Sequence, residues 1–159
     1  MSNSTLYDDD ILLWSEQQAA VIRRLGRSNR VPNGLDIENV AEEIESAGRS
    51  ELAAVESFLQ LVFVHLIKLY VAPDEPLARH WRGEIFHFGS QARRRYAPSM
   101  RRRIDLEQLW GLAKKEMLLN TEGEQERLIA DLPAKMPYTL DELLAEDSDA
   151  FDLVKRLHP

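Results

Sequence analysis

The sequence predicts an all-α fold, a helical bundle of about five main helices followed by short C-terminal ones, and three observations carry that prediction. Apolar residues recur at spacings of three and four along most of the chain. No segment shows the strict alternation expected of a half-buried strand. The prolines and several of the glycines fall between helix-length segments, where they act as stops. With 159 residues, 44% of them hydrophobic, the chain is expected to form a single domain over 1–159 around one core.

The first helix is expected from about Leu6 to Arg27, with Ile11, Trp14, Val21, Ile22 and Leu25 on its apolar stripe and Gly26 near its end. Ser28 to Gly34 is rich in turn formers and reads as a loop. A second helix opens near Asp36, a good N-cap residue, and turns Ile37, Val40, Ala41, Ile44 and Ala47 inward. Gly48 ends or kinks it, and Ser50 then caps a third helix running from Glu51 to about Ala72, where Pro73 and Pro76 stop it. From Phe58 onward this third helix is apolar around most of its circumference, as a central helix packed on several sides would be.

The fourth helix spans roughly Leu77 to Tyr96, with Leu77, Trp81, Ile85, Phe88 and Ala92 inward. Pro98 suits the first turn of a fifth helix that reaches about Leu119, its inner stripe being Leu106, Leu109, Trp110, Ala113 and Met117. Short helices follow at Glu124 to Asp131 and at Leu140 to Glu146, the latter opened by a Thr139/Glu142 capping box, and Asp149 to Leu157 is weakly helical.

Composition narrows the chemistry. The net charge of -7 argues against indiscriminate nucleic-acid binding. The absence of cysteine removes disulfides, thiolate metal ligands and cysteine nucleophiles. The acidic N-terminal MSNSTLYDDD lacks the pattern of a secretory leader, so a cytoplasmic protein is expected. The most apolar run, Phe58 to Ala72, is short for a membrane span and carries Gln60, His65 and Lys68, so it reads as a core helix and no membrane partner is expected.

Several segments together, namely YDDDILLWSEQQ, LDIENVAEEIESAGRSE, HLIKLY, Trp81 and the closing MPYTLDELLAED, resemble DUF twenty-nine, a bacterial family of domains of unknown function. The resemblance runs from Tyr7 to about Asp147, and AEEIESAGRSE is its most specific piece. It implies an all-helical bundle and assigns no activity, cofactor or catalytic residue.

Three constellations are candidates for function. Glu84 and His87, three apart on a helix, have the spacing of one half of a bundle metal site, but no second such pair exists, so no metal and no cofactor is expected. Glu42, Glu45, Arg49, His65, Lys68 and Trp81 form a candidate polar pocket; the competing reading is a salt-bridge network that fixes helix register. This pocket needs the chain to reverse at Gly48, or else an intervening helix or a second chain in an antiparallel dimer. A straight helix would hold Glu45 and His65 about 30 Å apart at 1.5 Å per residue. Finally, eight arginines and one acid, Glu84, lie between Arg79 and Arg103, while the rest of the chain carries 12 basic and 26 acidic residues. Arg93, Arg94, Arg95, Arg101, Arg102 and Arg103 are the candidate basic patch, which either contacts phosphates or pairs with acids of the same chain. The leading expectation is a non-enzymatic interaction or regulatory protein with a protein partner, homo-oligomerisation being open. The alternatives are a small-ligand binder or enzyme using the polar pocket, and a nucleic-acid-associated or toxin–antitoxin-type regulator.

Overall fold

The structure is a computed structural model that describes residues 3–28 and 31–158, the side chains of 3 and 4 excepted. All its regular elements are helical. They are α1 (Asn3–Asp9), α2 (Ile11–Gly26), α3 (Ile37–Val71), α4 (Ala78–Arg95), α5 (Leu106–Leu119), α6 (Glu124–Ala130), α7 (Leu140–Leu144) and α8 (Ala150–Lys155), with a 3-10 turn at Pro98–Arg102. Residues 29 and 30 of the expected Ser28 to Gly34 loop lie outside the described residues. The chain clusters into two compact units, one reaching Ala54 and including Arg95–Ile104, the other formed by Val55–Arg94 and the chain from Asp105 onward.

In the first unit the expected Leu6 to Arg27 helix is interrupted at Asp10. Its carboxylate accepts the Leu13 N–H at 3.0 Å and so caps α2. The same carboxylate accepts the Ser99 N–H at 2.8 Å and the Ser99 hydroxyl at 2.6 Å, which ties the 3-10 turn to the start of α2. Asp10 is only 6% exposed, and these three bonds satisfy it. Tyr7 packs edge-on against Trp14 with ring centres 4.8 Å apart.

The buried face of α2 is not the expected one. Leu12, Ser15 and Ala19 are buried, whereas Val21 and Leu25 are exposed, as is Val40 on α3. A small residue sets the close approach: Gly48 on α3 lies against Leu12 and Ser15 of α2, and Ala19 on α2 and Ala41 on α3 are likewise small and wholly buried. A Cβ placed on Gly48 would lie 2.0 Å from the Ser15 Oγ and 3.0 Å from the Leu12 Cα. Gly48 therefore serves close approach rather than a turn, and α3 runs unbroken for 35 residues.

In the second unit the later part of α3 is the core. Val55, Leu59, Phe63, Leu66 and Ile67 are wholly buried, and Val62 nearly so. Phe88 of α4 stacks on Phe58 at 6.2 Å, Trp110 of α5 meets Phe63 edge-on at 5.8 Å, and Tyr138 stacks on Phe63 at 6.4 Å. The Trp110 indole N–H donates to the Pro133 carbonyl at 2.8 Å. The inner stripe of α5 is as read from the sequence, except that the helix begins at Leu106, capped by Asp105, because Pro98 starts the 3-10 turn instead. Leu77 precedes α4 and is exposed, against expectation. The Thr139/Glu142 capping box forms, the Thr139 N–H donating to Glu142 at 2.7 Å and the Glu142 N–H to the Thr139 Oγ1 at 3.3 Å. By length and composition α3 could cross a membrane, with mean hydropathy 1.7 over its most apolar window. Burial of Val55 to Leu69 against α4, α5 and Tyr138 accounts for that composition as a core helix.

Candidate functional site

The six residues of the expected polar pocket do not converge. Because α3 is continuous through Gly48, Glu45 and His65 stand 20 positions apart on one helix, about 30 Å at 1.5 Å per residue. Glu42, Glu45 and Arg49 belong to one cluster, Lys68 and Trp81 to a second, and His65 has its own partners.

The first cluster lies between α2 and α3. Glu38, Glu42, Glu45 and Arg49 follow one another at helical spacing on a single stripe of α3. Arg23 of α2 reaches across to bind Glu38 at 2.8 Å and Glu45 at 2.9 Å, with Glu42 at 3.5 Å. Arg49 pairs with Glu42 and approaches Glu45 at 3.7 Å. Hydrogen bonding to Arg23 draws the Glu45 carboxyl below its usual range, and the Glu45 and Glu38 carboxylates hold the Arg23 guanidinium firmly protonated. Each of the three carboxylates has at least one guanidinium partner within the cluster, which favours the register-fixing reading over a ligand site. Arg23 was missed in the sequence. Its signal was the row of acids on α3, which called for a cation from the preceding helix.

His65 is half-buried beside the Phe88 ring at 5.4 Å. Its Nδ1 lies 2.8 Å from the Leu61 carbonyl, an acceptor, so Nδ1 carries the proton. Burial lowers its pKa, and the Lys68 and His80 charges add to that. It is a satisfied core histidine. Glu84 approaches His80 at 3.8 Å, not His87, whose ring packs on Phe88 at 5.6 Å. Among the described residues no group of three or more His, Asp or Glu is arranged to hold a metal ion.

Lys68 and Trp81 border the same cleft. Together with Val71, Leu77, Met117 and Gln125 they line an open cleft of about 420 Å³.

The basic stretch is partly spent within the chain. Arg93 donates to the Ala145 carbonyl at 3.3 Å. Arg95 contacts both oxygens of Glu51 at 3.0 Å, and Arg103 pairs with Glu16 at 3.1 Å. Arg94, Arg101 and Arg102 are exposed.

A different surface emerges on α4. Arg79, Arg82, Phe86, Ser90 and Arg93 recur at spacings of three and four, which places them on one stripe. Phe86 is 63% exposed and Phe151 of α8 is 52% exposed. The Arg82 guanidinium lies over the Phe151 ring at 4.5 Å. The α8 side of this surface is held by its neighbours: the buried Tyr138 hydroxyl donates to the Leu153 carbonyl at 2.7 Å, and Arg156 binds Glu142. Burial raises the Tyr138 pKa, so the hydroxyl stays a donor. The sequence reading missed Phe86 and Phe151. Phe86 sits one position off the inward stripe of α4, a signal visible in the periodicity.

Comparison with known proteins places the chain. Residues 6–148 match the family model described as Domain of unknown function DUF29. The chain belongs to this family. This DUF29 chain is similar in fold to the crystal structure of an alpha-helical protein of unknown function from Rhodospirillum rubrum, with a TM-score of 0.84 and 34% identity over 96% of this chain and 98% of that one. No curated protein matches the chain. The AEEIESAGRSE segment that carries the resemblance supplies, in this DUF29 chain, Glu42 and Glu45 to Arg23 and Gly48 to the α2–α3 contact.

Proposed function

We propose that the chain is a non-enzymatic protein-docking module, and that the α4–α8 surface binds an acidic, partly apolar segment of a partner protein. The single observation that carries this reading is the pair of exposed phenylalanines, Phe86 and Phe151, with Arg82 stacked on the second. Large exposed aromatics beside arginine have the make-up of interface hot spots. Arg79 and Arg82 on the same stripe supply charge complementary to an acidic partner. Phosphate contact by the arginine triplets is the weaker reading, because Arg95 and Arg103 already bind carboxylates and Arg93 a carbonyl.

The test compares the immobilised wild-type chain with a Phe86→Ser/Phe151→Ser double variant in extracts of the native host. Both residues are exposed, so the variant keeps the core. Proteins retained by the wild type, released by raised salt and lost from the variant are expected. Identical retained proteins on both, or retention of nucleic acid alone, would overturn the proposal.

A further inference from the structure

We propose that the cleft formed by the end of α3, the start of α4, the end of α5 and the start of α6 binds a small organic anion with a flat apolar body, of the aryl carboxylate class. Its volume of about 420 Å³ lies within the range of small-molecule sites, roughly 300–1,000 Å³. Four of its lining residues, Val71, Leu77, Trp81 and Met117, are apolar or aromatic. Exposure of Leu77, unexpected from its place in the α4 pattern, is explained if it is one wall of this cleft.

Two polar groups point to the ligand's chemistry. Lys68, in the last turn of α3, is half-buried and makes no hydrogen bond or ion pair among the described residues. A half-buried ammonium without a counter-charge favours an anion beside it. The Trp81 ring is half-buried, and its indole N–H donates to no described residue, which leaves a ring face for stacking and one donor. Glu75 also lines the cleft, but it is exposed and forms no ion pair with Lys68, so water screens its repulsion of the ligand. The cleft shares no residue with the Phe86–Phe151 surface, so this inference is independent of the docking proposal.

Calorimetric titration with indole-3-acetate tests it, with tryptamine and indole-3-ethanol as the cationic and neutral counterparts. For a ligand of this size, one saturable site with a Kd of about 1 mM or tighter is expected for the anion. Lys68→Met should weaken it about fivefold or more, while Glu75→Gln leaves it unchanged or tighter. Trp81→Ala should abolish it with helical circular dichroism intact. Absence of saturation up to about 10 mM, equal binding by Lys68→Met and wild type, or equal binding of tryptamine would overturn the proposal.

Discussion

Substitution of one glycine should destabilise the protein while the same substitution at another stabilises it. Gly48 and Gly83 both lie inside helices, and in an open helix Gly→Ala is worth about 0.5–1 kcal/mol of stability. At Gly83 a Cβ meets nothing within 4 Å, so Gly83→Ala should show that gain in full. At Gly48 the Cβ would lie 2.0 Å from the Ser15 Oγ, 3.0 Å from the Leu12 Cα and 3.1 Å from the Ser15 Cβ. A hydroxyl can swing aside, but the Leu12 backbone cannot, so α2 and α3 must separate. Overpacking of this kind costs about 1–3 kcal/mol, and the backbone contact argues for the upper half. After the propensity gain, Gly48→Ala should lose about 1–2 kcal/mol. Ser15→Ala removes the nearest atom and its bond to the Leu12 carbonyl, so the double variant should recover part of the loss, a coupling of about 0.5–1 kcal/mol. Urea titrations followed by circular dichroism measure the wild type and the four variants. A Gly48→Ala variant as stable as Gly83→Ala would refute close approach as the reason for glycine here.

Three further outcomes follow from the same geometry. Leu66→Ala, at a wholly buried site in the centre of α3, should cost about 2–5 kcal/mol by urea titration. Asp10→Ala removes the α2 cap and both bonds to Ser99, and should cost about 2–4 kcal/mol; a change under about 0.5 kcal/mol would show that the tie is idle. Stability should fall in two stages on acidification. His65, its pKa lowered by burial, is neutral in both states at high pH, so loss begins as the unfolded chain protonates below about pH 6.5. Glu45 and Glu142 have lowered pKa values, so their contribution, whole above the usual carboxylate range, is lost as the pH falls below about 4.5. Thermal melts across this range should show the first stage vanish in His65→Gln and the second persist.

The fold was legible where periodicity is strong and side chains are large. The later part of α3, the inner stripe of α5 and the Thr139/Glu142 cap all came from local pattern, because burial there is set by bulky apolar residues and by one hydrogen-bonding motif. The α2–α3 pairing was not legible. A reading that weights large apolar residues pointed to Trp14, Val21 and Leu25, whereas Gly48 meets Leu12 and Ser15, and the buried residues include the small Ser15, Ala19 and Ala41. The same oversight made Gly48 look like a break and joined Glu45 to His65 in one pocket. A single helix separates them, and only Lys68 and Trp81 of the second half still share a cleft. Arg23 escaped notice because its partners Glu38 and Glu45 are 15 and 22 positions away, beyond any helical spacing.

The docking claim is tested most directly by placing a photoreactive benzoyl-phenylalanine at position 86 and irradiating the chain in its native host. The account predicts one discrete protein adduct from position 86, the same adduct from position 151, and none from the exposed Gly111 on α5. Adducts that are equally abundant at position 111, or none at 86 and 151, would contradict it.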